Sequence, residues 1–283
     1  MKARGYRLIR AGVLGLSAGE AVLQRALSGV MRAAGGFLSE ALTGGEREEL
    51  GTALYDRAVT RTPRHGLFTW ERDWFARRLP APPAPLLVGG AGDGREAAAL
   101  KEWGYEVDAF DPAARATRTC AARLGRGARV AACRYEDLSR AVLDGGRGPA
   151  AAFAARRYRA VLLGWGSLTH VLDAGERERL LAACDRLCPD GPILASFWLK
   201  ATDADPAPGR AERAGRTLGR AVGRLRDAEP SGDFRFGWWF GFAHAFGRAE
   251  LEALAARAGR RVVWEEAAGG YPHVTLLGAG PMV

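Results

Sequence analysis

"LLVGGAGDGREAAAL", residues 86–100, is the stretch of sequence that decides the fold. Three apolar residues precede four glycines within six positions, and an alanine-rich segment follows. Glycine is costly wherever a side chain would be tolerated, because its backbone loses the most conformational freedom on folding. The pattern therefore predicts a strand, a bare turn that some other group approaches closely, and then a helix.

A run of prolines divides the chain just before this stretch. "LPAPPAPL", residues 79–86, contains four prolines, which cannot continue a helix and favour an extended linker. Residues 1–79 place apolar side chains at helical spacing and predict an N-terminal helical region. Residues 85–283 alternate short apolar segments with helix-like segments, which is typical of a doubly wound, mostly parallel α/β sheet. An insertion at about 201–246 and two closing strands complete this second region.

Composition limits the classes of partner. The net charge is +9, but only three of the basic residues are lysines, and the arginines are scattered beside acids rather than gathered in a block. This distribution argues against a surface that follows a phosphate backbone.

The cysteines and the N-terminus limit the setting of the protein. The four cysteines form no CxxC pair and have no histidine at a metal-ligand spacing, so we expect buried thiols and no metal site. The apolar run near the N-terminus is interrupted by Glu20 and is too short to span a bilayer. We therefore expect a cytoplasmic protein with no membrane partner.

Polar residues at the same edge of the sheet point to a nucleoside ligand. Gly90, Gly92 and Gly94 present backbone N–H groups at a helix N-terminus, and Asp111 ends the next strand, where an acid can accept both hydroxyls of a ribose. Glu136 or Asp137 follows the third strand and is suited to an adenine amino group. A structural reading stays open for each: close packing for the glycines, and helix-start roles for Asp111 and Asp137.

These segments resemble the class I S-adenosylmethionine-dependent methyltransferases over about residues 85–279. "LLVGGAGDG" is similar to the family's glycine motif, "VDAFDPA" to its ribose-binding acid, "RYEDL" to its adenine-proximal segment and "LCPDGPILASF" to the turn and fifth strand. The resemblance implies a Rossmann-like fold whose two closing strands form an antiparallel hairpin, with S-adenosyl-L-methionine as cofactor. Val88 departs from the family pattern, since many members carry an acid there.

The methyl acceptor is less well indicated. "VLLGWGSLTHV" follows the fourth strand, and there we expect Gly164 and Trp165 to line the binding site of the cofactor or of the acceptor. The alternative is that Trp165 only fills space in the core. In "DFRFGWWFGFAHAF" the aromatic residues alternate as one face of a strand, and the opposite face presents Arg235 and Trp239 to an acceptor cavity. Tyr55, in the N-terminal region, is a candidate for a lid over the cofactor, although core packing serves it equally well.

Two histidines are candidates for a general base. His244 lies in the aromatic segment and His170 follows the fourth strand, both near the expected acceptor edge. A base with a pKa near neutrality would make an oxygen or nitrogen acceptor a better nucleophile. We favour His244, while a structural hydrogen bond is the alternative for each.

The sequence thus predicts an enzyme that transfers a methyl group from S-adenosylmethionine to a small molecule. Two other classes remain open: a non-catalytic sensor or scaffold that keeps the fold, and an RNA methyltransferase. The sequence does not indicate the methylated atom or the oligomeric state.

Overall fold

The computed structural model describes residues 2–59, 66–200, 208–229, 234–265 and 271–278. The chain forms two compact units. One comprises Met1–Arg47 and Pro206–Ser231, and the other comprises Glu48–Asp205 and Gly232–Val283.

The helices lie at the N-terminus and between the strands. In the described residues they are α1 (Lys2–Ala41), α2 (Gly44–Val59), α3 (Thr69–Arg78), α4 (Arg95–Glu102), α5 (Ala114–Leu124), α6 (Tyr135–Leu143), α7 (Ala151–Ala154), α8 (Ala174–Leu187), α9 (Arg210–Arg224) and α10 (Arg248–Arg257). A short 3-10 helix, Ser167–His170, follows the fourth strand.

The strands form two sheets. They are β1 (Pro85–Gly89), β2 (Glu106–Asp111), β3 (Val130–Ala132), β4 (Ala160–Leu163), β5 (Ile193–Ser196), β6 (Trp198–Leu199), β7 (Phe234–Gly237), β8 (Gly241–Phe246), β9 (Arg260–Glu265) and β10 (His273–Gly278). The larger sheet has seven strands in the order β3-β2-β1-β4-β5-β10-β9, and the smaller has three in the order β6-β8-β7.

The larger sheet has the architecture that the sequence predicts. Strands β1 to β5 are parallel, and β10 is antiparallel to both β5 and β9. The predicted fold class, a mostly parallel Rossmann-like sheet with an antiparallel C-terminal hairpin and helices before it, is confirmed. Because the carboxyl ends of parallel strands meet at one edge, the turn after β1, the tip of β2 and the residues after β4 are neighbours.

The two faces of this sheet are covered by different helices. Leu86 and Val88 are buried on the face of α3, α4 and α5, whereas Leu87 is buried on the opposite face, with α6, α8 and α10. Successive side chains of a strand point to opposite faces, so a strand covered on both sides is apolar throughout. The continuous apolar run of β1 is the sequence signature of this arrangement.

The aromatic segment differs from the prediction. We expected Phe234 to Phe242 to alternate along one strand, but the structure has a hairpin in which β7 and β8 pair antiparallel, with Gly237 opposite Gly241. Gly241 has a φ of +77°, a conformation that side-chain-bearing residues rarely adopt, and this lets the chain reverse. The single-strand interpretation was wrong because the glycines that we took as open space in one strand flank a turn at residues 238–240.

The unit of Met1–Arg47 and Pro206–Ser231 is built on two closely packed helices, α1 and α9. Three glycines of α9, at 215, 219 and 223, face the backbone of α1: a Cβ on Gly215 would lie 1.9 Å from the carbonyl oxygen of Ala33. Only glycine allows backbones to approach this closely. Helix α9 thus lies within the insertion expected at about 201–246, and its packing against α1 was not predicted.

Candidate active site

The glycine turn joins β1 to α4 at the carboxyl edge of the sheet. Gly90, Gly92 and Gly94 have φ values of +63°, +55° and +85°, all in the region that favours glycine. A Cβ on Gly94 would lie 2.8 Å from Cys120 Sγ, so this third glycine permits α4 and α5 to pack. All three glycines thus shape the turn through their positive φ, and all three have neighbours too close for a side chain, so the close-packing alternative stays open for each.

Asp111, at the tip of β2, ties the turn to the sheet. Its carboxylate accepts hydrogen bonds from Gly92 N at 2.9 Å and from Ala113 N at 2.8 Å. The residue is 3% exposed. Burial raises the pKa of Asp111 to about 6, and the two backbone N–H groups oppose this rise. A buried, ionised carboxylate therefore stands beside the turn at neutral pH.

The C-terminal half of α2 lies against the same turn. A Cβ on Gly92 would lie 2.5 Å from the Tyr55 hydroxyl, and Asp56 Oδ1 accepts a hydrogen bond from Ala116 N, in the first turn of α5, at 3.0 Å. Tyr55 thus covers the exposed face of Gly92. Its role as a lid stays a prediction.

Tyr135 and Ser167 lie over the first glycine of the turn, and the sequence analysis missed them. A Cβ on Gly90 would lie 2.3 Å from Ser167 Cβ and 2.8 Å from the Tyr135 hydroxyl. The two hydroxyl oxygens are 2.5 Å apart and share a hydrogen bond. Tyr135 lies in the "RYEDL" segment, in which the sequence analysis considered only the two acids as ligand contacts.

The acids of that segment have separate surroundings. Asp137 Oδ2 accepts a hydrogen bond from Arg134 N at 3.0 Å, which caps the start of α6. Glu136 lies beside Glu48 of α2. Burial, together with this neighbouring acid, raises the pKa of Glu136 to about 7. An adenine contact stays a prediction for both acids, with the helix-start alternative realised at Asp137.

The residues after β4 hold the opposite side of the turn. Gly164 N donates to Gly89 O at 2.8 Å, which continues the pairing of β4 with β1. The indole of Trp165 is 42% exposed, and its ring lies 5.3 Å from that of Phe68 and 6.0 Å from that of Tyr271. Trp165 therefore does not plug the core, and its surface is open to a ligand.

A buried ionic cluster beneath Trp165 was also missed. Arg95 donates to both oxygens of Glu71, at 2.5 and 2.6 Å, and to Glu96 Oε1 at 2.9 Å. The Arg95 guanidinium lies over the Phe68 ring at 4.5 Å. Burial, followed by the nearby Glu71 carboxylate, raises the pKa of Glu96 to about 8. Arg95 and Glu96 directly follow the glycines in sequence, but spacing alone does not reveal where their side chains turn.

The two candidate bases differ in their contacts. His244 is buried, and its Nε2 lies 2.7 Å from Glu250 Oε1. His170 is exposed, and its Nδ1 lies 2.8 Å from the carbonyl oxygen of Phe242. Because a carbonyl only accepts, Nδ1 of His170 carries the proton, and Nε2 of the neutral ring keeps a lone pair.

Arg235 and Trp239 fall on the hairpin rather than on one strand. Arg235 lies on β7 opposite Ala243, and Trp239, which is 71% exposed, lies in the turn between β7 and β8. They do not share the alternating face on which we placed them. Their contact with an acceptor stays a prediction.

Cysteine, metal and membrane expectations can be compared with the same structure. All four cysteines are buried and free. Within the described ranges, no group of three or more His, Cys, Asp or Glu side chains is arranged to hold a metal ion. No helix of the described part of the chain has the length and apolar character needed to cross a bilayer.

Comparisons with known proteins find similar solved structures but no related sequence. No family model matches the chain, and no curated protein matches it in sequence. Among solved structures it is similar to CalS10, an amino pentose methyltransferase from Micromonospora echinaspora, with 15% identity, coverage of 79% of this chain and 91% of that one, and a TM-score of 0.49. It is also similar to the 1,6-didemethyltoxoflavin-N1-methyltransferase of Burkholderia thailandensis, with 21% identity, coverage of 81% and 84%, and a TM-score of 0.49.

Both similarities concern the fold alone, and this chain's own topology is the stronger observation. Its seven strands run in the order β3-β2-β1-β4-β5-β10-β9, with the glycine turn after β1 and Asp111 at the tip of β2. The fold is therefore a mostly parallel Rossmann-like sheet with an antiparallel C-terminal hairpin, as the resemblance to the class I S-adenosylmethionine-dependent methyltransferases implies.

Proposed function

We propose that this protein is an S-adenosylmethionine-dependent methyltransferase that acts on a small molecule. The observation that carries the proposal is the pairing of a buried carboxylate with a bare glycine turn, in which Asp111 accepts a hydrogen bond from Gly92 N at 2.9 Å. An acid at the tip of β2 is placed to accept ribose hydroxyls, and the adjacent turn offers backbone to a flat ligand.

The residues present fit this cofactor. Gly90 and Gly92 bring no side chains of their own to the turn, and Asp111, Glu136 and Trp165 supply an acid for the ribose, an acid toward the adenine and an exposed ring. When bound, S-adenosylmethionine supplies an electrophilic methyl group on its sulfonium. Tyr55 covers the face of Gly92, so we expect its side chain to turn aside or to contact the ligand.

A small-molecule acceptor fits the charges better than RNA does. Arginines such as Arg156, Arg177 and Arg260 form ion pairs with acids of their own chain. Guanidinium groups engaged in this way are poorly disposed to follow a phosphate backbone. A cytoplasmic location and the identity of the acceptor stay predictions.

His170 is the better supported general base. It is exposed, and its Nδ1–H donates to the Phe242 carbonyl, which leaves the Nε2 lone pair to accept a proton from an acceptor. His244 also keeps a lone pair, on Nδ1, when its Nε2 donates to Glu250, but its side chain is buried and less accessible to an acceptor. We expect His170→Gln to lower kcat by roughly tenfold or more with S-adenosylhomocysteine affinity unchanged, and His244→Gln to change stability rather than kcat. Equal losses of kcat in both variants would contradict the assignment of His170, rather than His244, as the general base.

The direct test of the proposal is transfer of an isotopically labelled methyl group. The protein is incubated with labelled S-adenosylmethionine and a metabolite extract, and products are sought by mass spectrometry. We expect at least one small molecule to gain the labelled methyl group, and Asp111→Ala to abolish the gain. Labelled RNA with no labelled small molecule would overturn the choice of acceptor.

A non-catalytic binding protein is the second candidate. The hydroxyls of Tyr55, Tyr135 and Ser167 lie over Gly90 and Gly92. A cofactor would have to displace these side chains, and a change of conformation on binding is what a sensor requires. Cofactor binding without turnover on any extract would support this candidate.

A further inference from the structure

Strand β1 brings no acid to the cofactor's end of the sheet. Val88 stands where many proteins of this fold carry an acid, and it is fully buried among the apolar residues beneath α3, α4 and α5. A bound S-adenosylmethionine carries an ammonium group on its methionyl part, and a buried cation needs an anionic partner. The site must therefore obtain a negative charge elsewhere.

Three oxygen atoms converge beside Gly164. A Cβ built on Gly164 would lie 2.9 Å from the carbonyl oxygen of Gly90, 3.0 Å from Glu96 Oε2 and 3.1 Å from the carbonyl oxygen of Gly89. All three atoms are acceptors, and they come from the end of β1 and from α4. A side chain at position 164 would fill the space between them, so this glycine keeps the acceptors accessible.

The Glu96 carboxylate is buried and only partly satisfied. The residue is 6% exposed. Its Oε1 accepts hydrogen bonds from Arg95 and from Trp165 N. The Glu71 carboxyl is a further hydrogen-bond neighbour of Glu96, and no N–H group of the part of the chain that the structure describes donates to Oε2. Buried carboxylate oxygens are normally paired, since an unpaired one carries a desolvation cost. Oε2 therefore has the capacity to accept one more donor.

The charges of the cluster leave room for a further cation. When Glu96 is ionised, two carboxylates, those of Glu71 and Glu96, share the single guanidinium of Arg95. A cavity of about 10 Å³ adjoins the cluster, and it is lined by Glu71, Glu96, Gly164 and Ser196 together with apolar and aromatic side chains of α3, β4 and β5. That volume accommodates about one water-sized group, and an ammonium group is of this size.

We propose that Glu96 binds the ammonium group of the cofactor's methionyl part, through Oε2 and together with the Gly90 carbonyl, in place of the acid that β1 lacks. This inference rests on the proposed function. Glu96 of α4 would then recognise the amino acid end of the cofactor, which the glycine turn alone does not do.

The test compares ligands with and without the amino group by isothermal titration calorimetry. The probes are S-adenosylhomocysteine and its desamino analogue, in which hydrogen replaces the amino group. We expect wild-type protein to bind the desamino analogue roughly tenfold or more weakly, and Glu96→Gln to bind both probes with equal affinity. Glutamine keeps an oxygen for Trp165 N and removes only the charge.

Glu102→Gln is the matched control, because Glu102 lies on the same helix, is exposed and is not among the atoms that surround Gly164. This variant should keep the preference for the amino group.

Three results would overturn the inference. A wild-type protein that does not distinguish the two probes would contradict it without any variant, and a Glu96→Gln protein that keeps the full preference would do the same. No binding of S-adenosylhomocysteine by the wild type would overturn the proposed function as well.

Discussion

Glycine allows close approach in two regions of this molecule, for two different physical reasons. In the turn after β1, Gly90 and Gly92 adopt φ values of +63° and +55°, so the turn requires a backbone conformation. In the helix pair, Gly215 lies on α9, where a Cβ would meet the Ala33 carbonyl oxygen at 1.9 Å, so the packing requires the absence of a side chain. The first kind of glycine shapes a turn over which Tyr55, Tyr135 and Ser167 lie, and the second closes a helix interface.

Buried acids sharpen the contrast. In the helix pair, the Glu40 side chain is 1% exposed and faces two guanidinium groups, those of Arg216 and Arg220. Beside the turn, Glu71 and Glu96 share the one guanidinium of Arg95. The acid of the packed helices is surrounded by positive charge, whereas the acid pair of the site lacks it. An incomplete charge balance is what a binding site offers to a cationic ligand.

Replacing each acid by its amide should change stability in opposite directions. Glu40→Gln removes a buried carboxylate that pairs with Arg216 and with the exposed Arg220, and should destabilise the protein by about 2 kcal/mol. Glu96→Gln removes a carboxylate whose pKa burial raises to about 8. The folded protein resists ionisation of Glu96, so its stability falls as pH rises from about 4.5 through about 8, and the amide does not share this loss.

Thermal denaturation at about pH 6 and about pH 9 measures both effects. We expect the melting temperature of Glu96→Gln to exceed that of the wild type, with a gap that widens toward the higher pH. A gap that narrows with pH would show that Glu96 is fully balanced by Arg95, and the contrast between the two acids would then be lost.

Glycine-to-alanine substitutions in the helix pair distinguish a glycine that the packing requires from one that it does not require. Gly215→Ala forces a Cβ into the α1 backbone and should cost about 2 kcal/mol. Gly29→Ala, on α1, has no atom within 4 Å of the new Cβ and should stabilise the helix by about 0.5–1 kcal/mol. Denaturant unfolding of both variants provides the measurement. Equal effects would mean that the helices can separate to admit a side chain.

The smallest of the expected effects is the change with pH in the affinity for S-adenosylhomocysteine. If the ammonium group needs ionised Glu96, affinity for S-adenosylhomocysteine should rise about fivefold between about pH 7 and about pH 8 as that carboxyl loses its proton. Glu71 and Arg95 face the same carboxyl, while Asp111 and Glu136 titrate lower, with pKa values of about 6 and about 7. Titration of Glu96→Gln over the same range isolates the effect, and an undiminished slope in that variant would assign it to other groups.

Much of the fold could be predicted because its signals are local. The apolar run before Gly90, the glycines themselves and the acid at the end of β2 follow directly from strand burial and turn conformation. The hairpin of β7 and β8 was misjudged, since alternation of aromatic residues does not distinguish one strand from two when Gly237 and Gly241 permit a turn.

The site was only partly predictable because it depends on contacts between distant segments. Glu96 meets Gly164 and Trp165 across the sheet edge, and Tyr55 reaches Gly92 from α2. Nothing in the spacing of these residues gives the direction of their side chains. The glycines at 215, 219 and 223 did offer a signal, a four-residue repeat typical of close helix packing, which the sequence analysis passed over.

Titration of S-adenosylhomocysteine into three proteins tests the central claim most directly: the wild type, Gly92→Val and Gly259→Val. Gly259 has a φ of +68° and open space around it, so both variants carry similar backbone strain. The account predicts binding by the wild type, affinity reduced roughly 100-fold or more in Gly92→Val, and affinity retained in Gly259→Val. Equal affinity in all three proteins, or none in the wild type, would contradict the claim that the turn after β1 binds the cofactor.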